Sequence, residues 1–324
     1  MEPRTPISAA CTITQPGSYY LTGNLTVSAY GITIRTNNVT LDLMGFTLSG
    51  DRGASDIGIW VDGDPSAVRS GVCIRNGTVS AFDYGVQIEN ARGCRLEDVV
   101  CTTNKTYGIY LRADSSGFCK GNVLRRCVAA ENGYGIVLSG TSSGQCEGNR
   151  LIDCTVERNG VYGILLNGNN GGCSFNEILS SQARSNGTHG IAIDGSFSGM
   201  CFGNTIRDCS VSDNKEDGFN LQAYQGTCSG NRITACSFNA NGHYGLYLYY
   251  APNNFIAGNE LSTSGATNLV IASSSGNLIF QNTSIEAPAT YLIGTSQVNG
   301  PIVSDSGALG TTGNAAHPWV NFSR

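Results

Sequence analysis

Apolar residues in this chain come in short alternating runs, and Gly, Asn, Ser and Thr interrupt every one of them. No segment keeps a 3.6-residue apolar stripe for three turns, so helices are not expected. The runs that remain are rich in β-branched residues, as in Gly31-Ile32-Thr33-Ile34, Asn38-Val39-Thr40-Leu41-Asp42-Leu43 and Ile57-Gly58-Ile59-Trp60-Val61. Alternation of period two in runs this short predicts strands, and the pattern along the whole length predicts an all-β chain.

The runs also repeat. Asn122, Asn149, Asn176, Asn204, Asn231 and Asn259 stand 27, 27, 28, 27 and 28 residues apart. A second column holds Asn104, Asn132, Asn159, Asn186, Asn214 and Asn241, and a Gly column follows at Gly108, Gly135, Gly163, Gly190, Gly218 and Gly245. The unit reads C-x-G-N-x-[LI]-x-x-C-x-V-x-x-N-G-x-Y-G-I-x-L and then a Ser/Gly-rich turn. Self-similarity at a fixed period marks a solenoid. Each unit contains two or three strands too short to stand alone; in Tyr134-Gly135-Ile136-Val137-Leu138, Ile136 and Leu138 face one side and Val137 the other. Coiling the chain stacks equivalent strands about 4.8 Å apart as parallel ladders, each unit burying its apolar side against its neighbours. Asn at fixed turn positions tolerates left-handed backbone and can bond the Asn of the next coil.

The coil consensus resembles the pectate lyase-like superfamily of right-handed β-helices. The opening Ile13-Thr14-Gln15-Pro16-Gly17-Ser18-Tyr19-Tyr20-Leu21-Thr22-Gly23-Asn24-Leu25, with Asn38 to Leu43 and a Pro318-Trp319-Val320-Asn321-Phe322 ending, is similar to a group of bacterial β-helix repeat proteins. The resemblance covers essentially the whole chain. It implies a single-stranded right-handed parallel β-helix of about ten coils, roughly 27 residues each and about 50 Å long. We expect one domain: an N-terminal cap at 1–30, coils over 31–294 and a C-terminal cap or tail at 295–324. The superfamily holds lyases, glycoside hydrolases, epimerases, esterases, phage adhesins and inactive scaffolds, so the resemblance implies no single reaction.

Composition narrows the partners. A net charge of −5 with 19 Lys+Arg gives no basic surface for nucleic acid. No run approaches the roughly 18–20 apolar residues of a membrane helix. The first residues lack the charged and apolar regions of a signal peptide, as a mature form with its signal removed would. An extracellular or cell-surface protein is the expectation.

Of thirteen cysteines, eleven follow the coil period in two columns, and Cys11 and Cys73 stand outside them. Cys94, Cys119, Cys146, Cys173, Cys201 and Cys228 form one; Cys101, Cys127, Cys154, Cys209 and Cys236 form the other, with Ser181 filling the gap. C-x₂-C pairs with local His partners are absent, which argues against metal binding. Buried thiols packing as small hydrophobes are the leading expectation, and disulfides between the columns the alternative.

Chemistry on a β-helix needs polar side chains aligned on an outward strand face, because neighbouring coils bring equivalent residues within about 5 Å. The Y-G-I-x-L strand offers three such columns. The first reads Tyr84, Tyr107, Tyr134, Tyr162, His189, Asp217, Tyr244, and the second Gln87, Tyr110, Val137, Leu165, Ala192, Asn220, Tyr247. The third reads Glu89, Arg112, Ser139, Asn167, Asp194, Gln222, Tyr249. The Tyr column breaks to His189 and Asp217 on adjacent coils, with Lys215 and Glu216 in the preceding turn. Aromatic faces beside carboxylates fit a groove for a polysaccharide or oligosaccharide. Asp217 and Asp194 are the expected acid/base pair, Glu216 and Lys215 further catalytic candidates, and His189 a proton carrier or substrate ligand. Tyr244, Tyr247 and Tyr249 would be sugar platforms, with Asn220 and Gln222 binding hydroxyls. A Tyr column that merely covers the sheet, with His and Asp as neutral replacements, explains the same positions.

The N-T-D, Asp-Asp, G-H-G and R-I-K signatures of polygalacturonase-like enzymes are missing; Thr188-His189-Gly190 is a faint likeness to the third. A lyase of the pectate type would need a carboxylate cluster for Ca²⁺, for which Asp208, Asp213, Glu216 and Asp217 beside Lys215 are the nearest candidates. Arg112, Tyr110 and Glu89, near Arg92 and Arg95, form a second surface that reads as solvated or as a subunit contact. The function expected is a polysaccharide lyase or glycoside hydrolase acting along an outward groove. The rival is a non-catalytic structural, adhesion or glycan-binding scaffold. β-Helices of this kind often assemble as trimers, and in a homotrimer Trp319 and Phe322 would offer a packing anchor; a capping role within one chain accounts for that tail equally well.

Overall fold

The corners of each coil, more than its strands, decide how this chain winds. The computed structural model describes residues 4–294, 296–300, 302–304 and 320–323. All regular structure among them is β, and all paired strands run parallel apart from one isolated antiparallel bridge between Asp64 and Ala67. One coil shows the plan in four short strands: Val123–Arg125, Val128–Ala130, Tyr134–Gly140 and Gln145–Glu147. We call the ladders they form first to fourth. The third contains twelve strands, from Cys11–Ile13 to Ala289–Ile293, and the fourth contains seven. The result is the right-handed β-helix expected, with four strands per full coil where the sequence promised two or three.

The first-to-second, second-to-third and fourth-to-first corners turn on one residue in the left-handed region, such as Arg126 (φ 50°), Glu131 (φ 59°) or Gly121 (φ 64°). That kink removes the next backbone N–H from ladder pairing, and a buried donor without a partner is costly. The asparagine columns supply the partner. Asn122 N and Nδ2 both donate to Asn149 Oδ1 at 2.9 Å, while Asn149 Nδ2 donates to Cys119 O at 2.9 Å. The same pattern links Asn104, Asn132, Asn159, Asn186, Asn214 and Asn241 at the second-to-third corner.

One column departs from the sequence reading. Asn231 passes its bonds to Asn254, only 23 residues on, and not to Asn259. The coil after Tyr250 has no fourth-ladder strand among the described residues, and this shortening makes Asn259 mimic the repeat. Asn259 belongs instead to the first-to-second corner, where Cys236 N donates to it at 3.0 Å. That column continues through Asn282 to Asn321, whose Oδ1 accepts Asn282 N at 3.1 Å. The tail strand Asn321–Ser323 pairs with Thr283–Ile285 and Ile302–Ser304, and Tyr291 Oη donates to Phe322 O at 2.8 Å. Trp319 lies outside the described residues. At the other end, Arg4–Ile7 and Cys11–Ile13 already pair with the coil below.

All thirteen cysteines are free, and all but Cys11 are buried. Cys119, Cys146 and Cys173 are in register on the fourth ladder, as are Cys201 and Cys228. Two members leave their expected columns. Cys94 heads the asparagine column, its N–H donating to Asn122 Oδ1 at 2.9 Å. Cys101 pairs with Ala129 inside the second ladder. One apolar core runs from Ile7 to Ile279 down the axis.

Candidate functional site

The three outward columns of the third ladder are in register as read: Tyr107 lies against Tyr134, Tyr110 against Val137, and Asp194 between Asn167 and Gln222. The repeat glycine beside the first column keeps it tight. A Cβ on Gly218 would stand 2.6 Å from Gly245 O, so no larger residue fits there without movement. Backbone bonds from Gly190 to Asp217 O (3.0 Å) and from Gly218 to Tyr244 O (2.8 Å) then stack His189, Asp217 and Tyr244 on successive coils. The adjoining turn position stacks Thr188, Glu216 and His243 in the same way, through Glu216 N to Thr188 O (2.9 Å) and His243 N to Glu216 O (3.0 Å).

Asp217 sits at the centre of this group, its side chain only 3% exposed. Its Oδ2 accepts Asn220 Nδ2 at 2.7 Å and its Oδ1 accepts Tyr244 N at 3.2 Å. His243 Nδ1 approaches Oδ1 at 3.2 Å from one side, and His189 Nδ1 lies 3.4 Å from Oδ2 on the other. The two rings are held differently. Asp217 N–H donates to His189 Nδ1 at 3.2 Å, which assigns the ring proton of neutral His189 to Nε2. His243 Nδ1 faces a carboxylate oxygen and is assigned the proton, leaving Nε2 with a free lone pair. Burial pulls His189 below its ordinary pKa, against the opposing pull of the Asp217 and Glu216 carboxylates. His189 Nε2 is 3.7 Å from Glu216 Oε2, and its ring stacks on Tyr162 at 5.4 Å and 15°. The His243 side chain is half exposed, with its ring centroid 3.6 Å from that of Tyr244.

This arrangement can remove a proton. His243 carries a base lone pair toward solvent, oriented by a buried carboxylate, and His189 offers a neutral N–H donor a short way off. His243 was missed in the sequence because the columns were read along the strand and not through the turn before it. The signal was present: the chain has three histidines, and two fall two coils apart at adjoining positions of the repeat, His189 in the tyrosine column and His243 one place before it.

The other sequence candidates divide. Glu216, Asn220 and Tyr244 join Asp217 and His189. Lys215 is exposed, its backbone N–H bound to Asn186 O at 3.0 Å. Asp194 stands at the far end of the strand with Gln222 and Tyr249, about 15 Å along the chain direction from the His189 column. Its carboxylate is taken by Ser196 N at 2.9 Å and Asn169 Nδ2 at 3.1 Å. The structure therefore does not bring Asp194 and Asp217 together as a pair. The carboxylates considered for Ca²⁺ do not converge either: Asp208 is on Arg207 (3.2 Å) and Asp213 on Ser212 (2.8 Å). Among the described residues no group of three or more His, Cys, Asp or Glu is placed to hold a metal.

The remaining tyrosines form a covering layer. Rings of Tyr84, Tyr107, Tyr134 and Tyr162 follow one another at 5.2, 5.3 and 5.7 Å. The last three, with Tyr110, pack over Val137, Leu165 and Ala192. The second surface is closed by its own contacts, since Glu89 accepts Trp60 Nε1 (3.2 Å) and Gln87 Nε2 (2.9 Å) and faces Arg112 Nη1 (3.3 Å).

Solved structures share the architecture. The chain aligns over 92% of its length with 90% of the A-module of an Azotobacter vinelandii mannuronan C-5 epimerase, at TM-score 0.62 and 16% identity. The periplasmic alginate epimerase AlgG matches over 89% of this chain and 77% of its own, at TM-score 0.57 and 14% identity. The Dettilon tailspike protein matches over 99% of this chain at TM-score 0.57 and 15% identity, and the chain spans 61% of that tailspike's length. At these identities the likeness is one of fold. No curated protein matches the chain. No helix among the described residues is long and apolar enough to cross a membrane. The model of the right-handed β-helix region matches residues 11–178 and 171–321, and the chain belongs to that family.

Proposed function

We propose that this protein is a carbohydrate-active β-helix that cleaves a uronate-containing polysaccharide as a lyase: a proton leaves the carbon beside the carboxylate, a C=C bond forms, the neighbouring glycosidic C–O bond breaks, and the departing oxygen takes a proton from water. The observation that carries the reading is the pair of histidines around buried Asp217. His243 Nε2 is the base, Asp217 orients it, and the His189 Nε2–H donor holds a substrate oxygen. A hydrolase reading needs two carboxylates flanking one bond. Asp217 is enclosed and Asp194 is at the other end of the strand, so a proton-transfer reaction fits the group better. Epimerisation, the activity named for two of the similar structures and placed at C-5 in the name of one, also begins, at a carbon beside a carboxylate, with removal of a proton.

The test is incubation of the purified protein with alginate, homogalacturonan and xylan, with and without Ca²⁺. New reducing ends together with ultraviolet absorbance of an unsaturated product support a lyase. Reducing ends without absorbance mean a hydrolase and overturn the proton-abstraction reading. Binding with no turnover would favour the second reading, a glycan-binding scaffold. One observation favours that rival: His243, the base, is half exposed. Concavities of about 360 Å³ (Thr5 to Tyr19) and about 260 Å³ (Val68, Arg92, Phe118, Lys120) lie elsewhere.

A further inference from the structure

The corner from the third to the fourth ladder is closed the same way in successive coils, by Gly144 N to Thr141 O, Gly171 N to Gly168 O, Gly199 N to Ser196 O and Gly226 N to Ala223 O. The position after each acceptor therefore forms a column: Ser142, Asn169, Phe197, Tyr224; in the next coil Tyr250 stands opposite Ala223, and its ring lies 5.7 Å from that of Tyr224. Small polar residues suit such a corner, and Ser142 holds it at φ 49°. Phe197 and Tyr250 adopt the same left-handed backbone, each at φ 52°, where bulky residues are disfavoured. Phe197, Tyr224 and Tyr250 are also 57%, 48% and 40% exposed. Nothing in the folding of the corner calls for aromatic rings here, because Ser142 closes it without one.

These rings occur in the coils that carry His189, Asp217 and His243, and Tyr250 and Tyr224 connect to that group through ring contacts. From Tyr244 the centroids step to Tyr247 (5.1 Å), Tyr249 (5.9 Å), Tyr250 (4.3 Å) and Tyr224 (5.7 Å). The run follows the strand direction, across the coils' stacking axis, for about 20 Å. Gln222, half-buried, and Gln225, exposed, lie along it. Sugar rings present apolar C–H faces edged with hydroxyls, and aromatic faces with amide neighbours match both.

We propose that this run is the floor of a polysaccharide track laid across the coils, with Tyr250, Tyr224 and Phe197 as outer subsites that hold sugar units remote from His243. The proposal rests on the reading of the His243 group as a sugar-processing centre, and it fixes which way the glycan lies. The tyrosines stacked along the axis cover the sheet and take no part in binding.

The test is native electrophoresis of the whole chain through gels containing alginate, homogalacturonan or xylan. The variant to compare is the triple substitution Phe197→Ser, Tyr224→Ser, Tyr250→Ser, which installs the residue the corner already holds at Ser142. The expected result is retardation of the wild type by at least one polymer and, in the variant, an affinity weaker by about ten-fold or more. KM for the retarding polymer should rise with kcat little changed, and the melting temperature should hold. Unchanged retardation and KM in the variant, while His243→Ala abolishes turnover, would overturn the track and leave the centre standing. Neither retardation nor turnover by any polymer would overturn both. A wild type that self-associates in sedimentation, with a monomeric variant, would make the patch a subunit contact and overturn the track.

Discussion

His243 Nδ1 lies 3.2 Å from Asp217 Oδ1, although the two residues belong to successive coils and His243 sits in a turn, not on the strand. The carboxylate serves His189 as well, and its remaining bonds to Asn220 and Tyr244 N hold it still. The geometry gives Asp217 an orienting role and leaves contact with substrate to the two rings.

From this, His243→Ala should lower kcat for polymer turnover by about 10²- to 10⁴-fold, the usual contribution of a positioned base. Asp217→Asn keeps the shape but turns a donor toward His243 or His189, so it should also lose most activity. Initial rates over a range of polymer concentrations give the check, and Lys215→Ala, an exposed site outside the group, should behave as wild type. Full activity in His243→Ala would remove this group from consideration.

Stability should respond to the same burial. The folded-state pKa of His189 is depressed by desolvation, with Asp217, Glu216 and His243 the charged groups facing it. The unfolded chain therefore takes up the proton first as pH falls, and the stabilisation is complete above the unfolded value of about 6.5. It is lost as pH drops through that value toward the lower folded pKa. Thermal melts between about pH 7.5 and 5 should show a falling midpoint, less steep in His189→Gln. An equal slope in the variant would mean that other groups control acid sensitivity.

The sequence exposed the repeat because each coil must solve the same packing and corner problems, so the asparagine and glycine columns recur. Asn259 misled because dropping one strand and keeping its corner residues preserves a spacing of 28 by accident. Cys94 and Cys101 misled similarly, since the period alone cannot tell a corner from a strand interior. At the site, Asp217 and His189 stood out as breaks in a tyrosine column. His243 did not, because contact between a turn and the next coil's strand entry depends on how the corner is folded. Asp194 was drawn in by its column, but five residues along a strand is a long distance even when coils are close.

The corner ladders make unequal demands on their residues. Asn204 Nδ2 donates to Cys173 O (3.0 Å) and Asn231 Oδ1 (3.0 Å), and its Oδ1 accepts Asn176 N (2.9 Å) and Nδ2 (3.1 Å). Asn204→Ala strands several buried polar groups at once and should cost about 3 kcal/mol or more. Cys154 occupies a column in which Ser181, one coil on, accepts Cys154 N at 3.1 Å and donates to Leu179 O at 2.9 Å. Cys154→Ser should therefore change stability by less than about 1 kcal/mol. Urea midpoints of the two variants test the contrast, and comparable losses would contradict it.

The thiols themselves should be almost silent. A thiolate is the reactive form, and burial pushes Cys94 up to about 12 and raises Cys101 and Cys119 as well. Cys11 is raised too, but it is the one cysteine partly open to solvent. A colourless disulfide reagent that releases a chromophore on reaction should titrate one thiol in the native protein and all thirteen after denaturation. Rapid labelling of several native thiols would mean that the coils open locally far more often than a continuous core allows. Fewer than thirteen after denaturation without reductant would instead reveal bridges between coils, which register permits because Cys146 lies directly between Cys119 and Cys173.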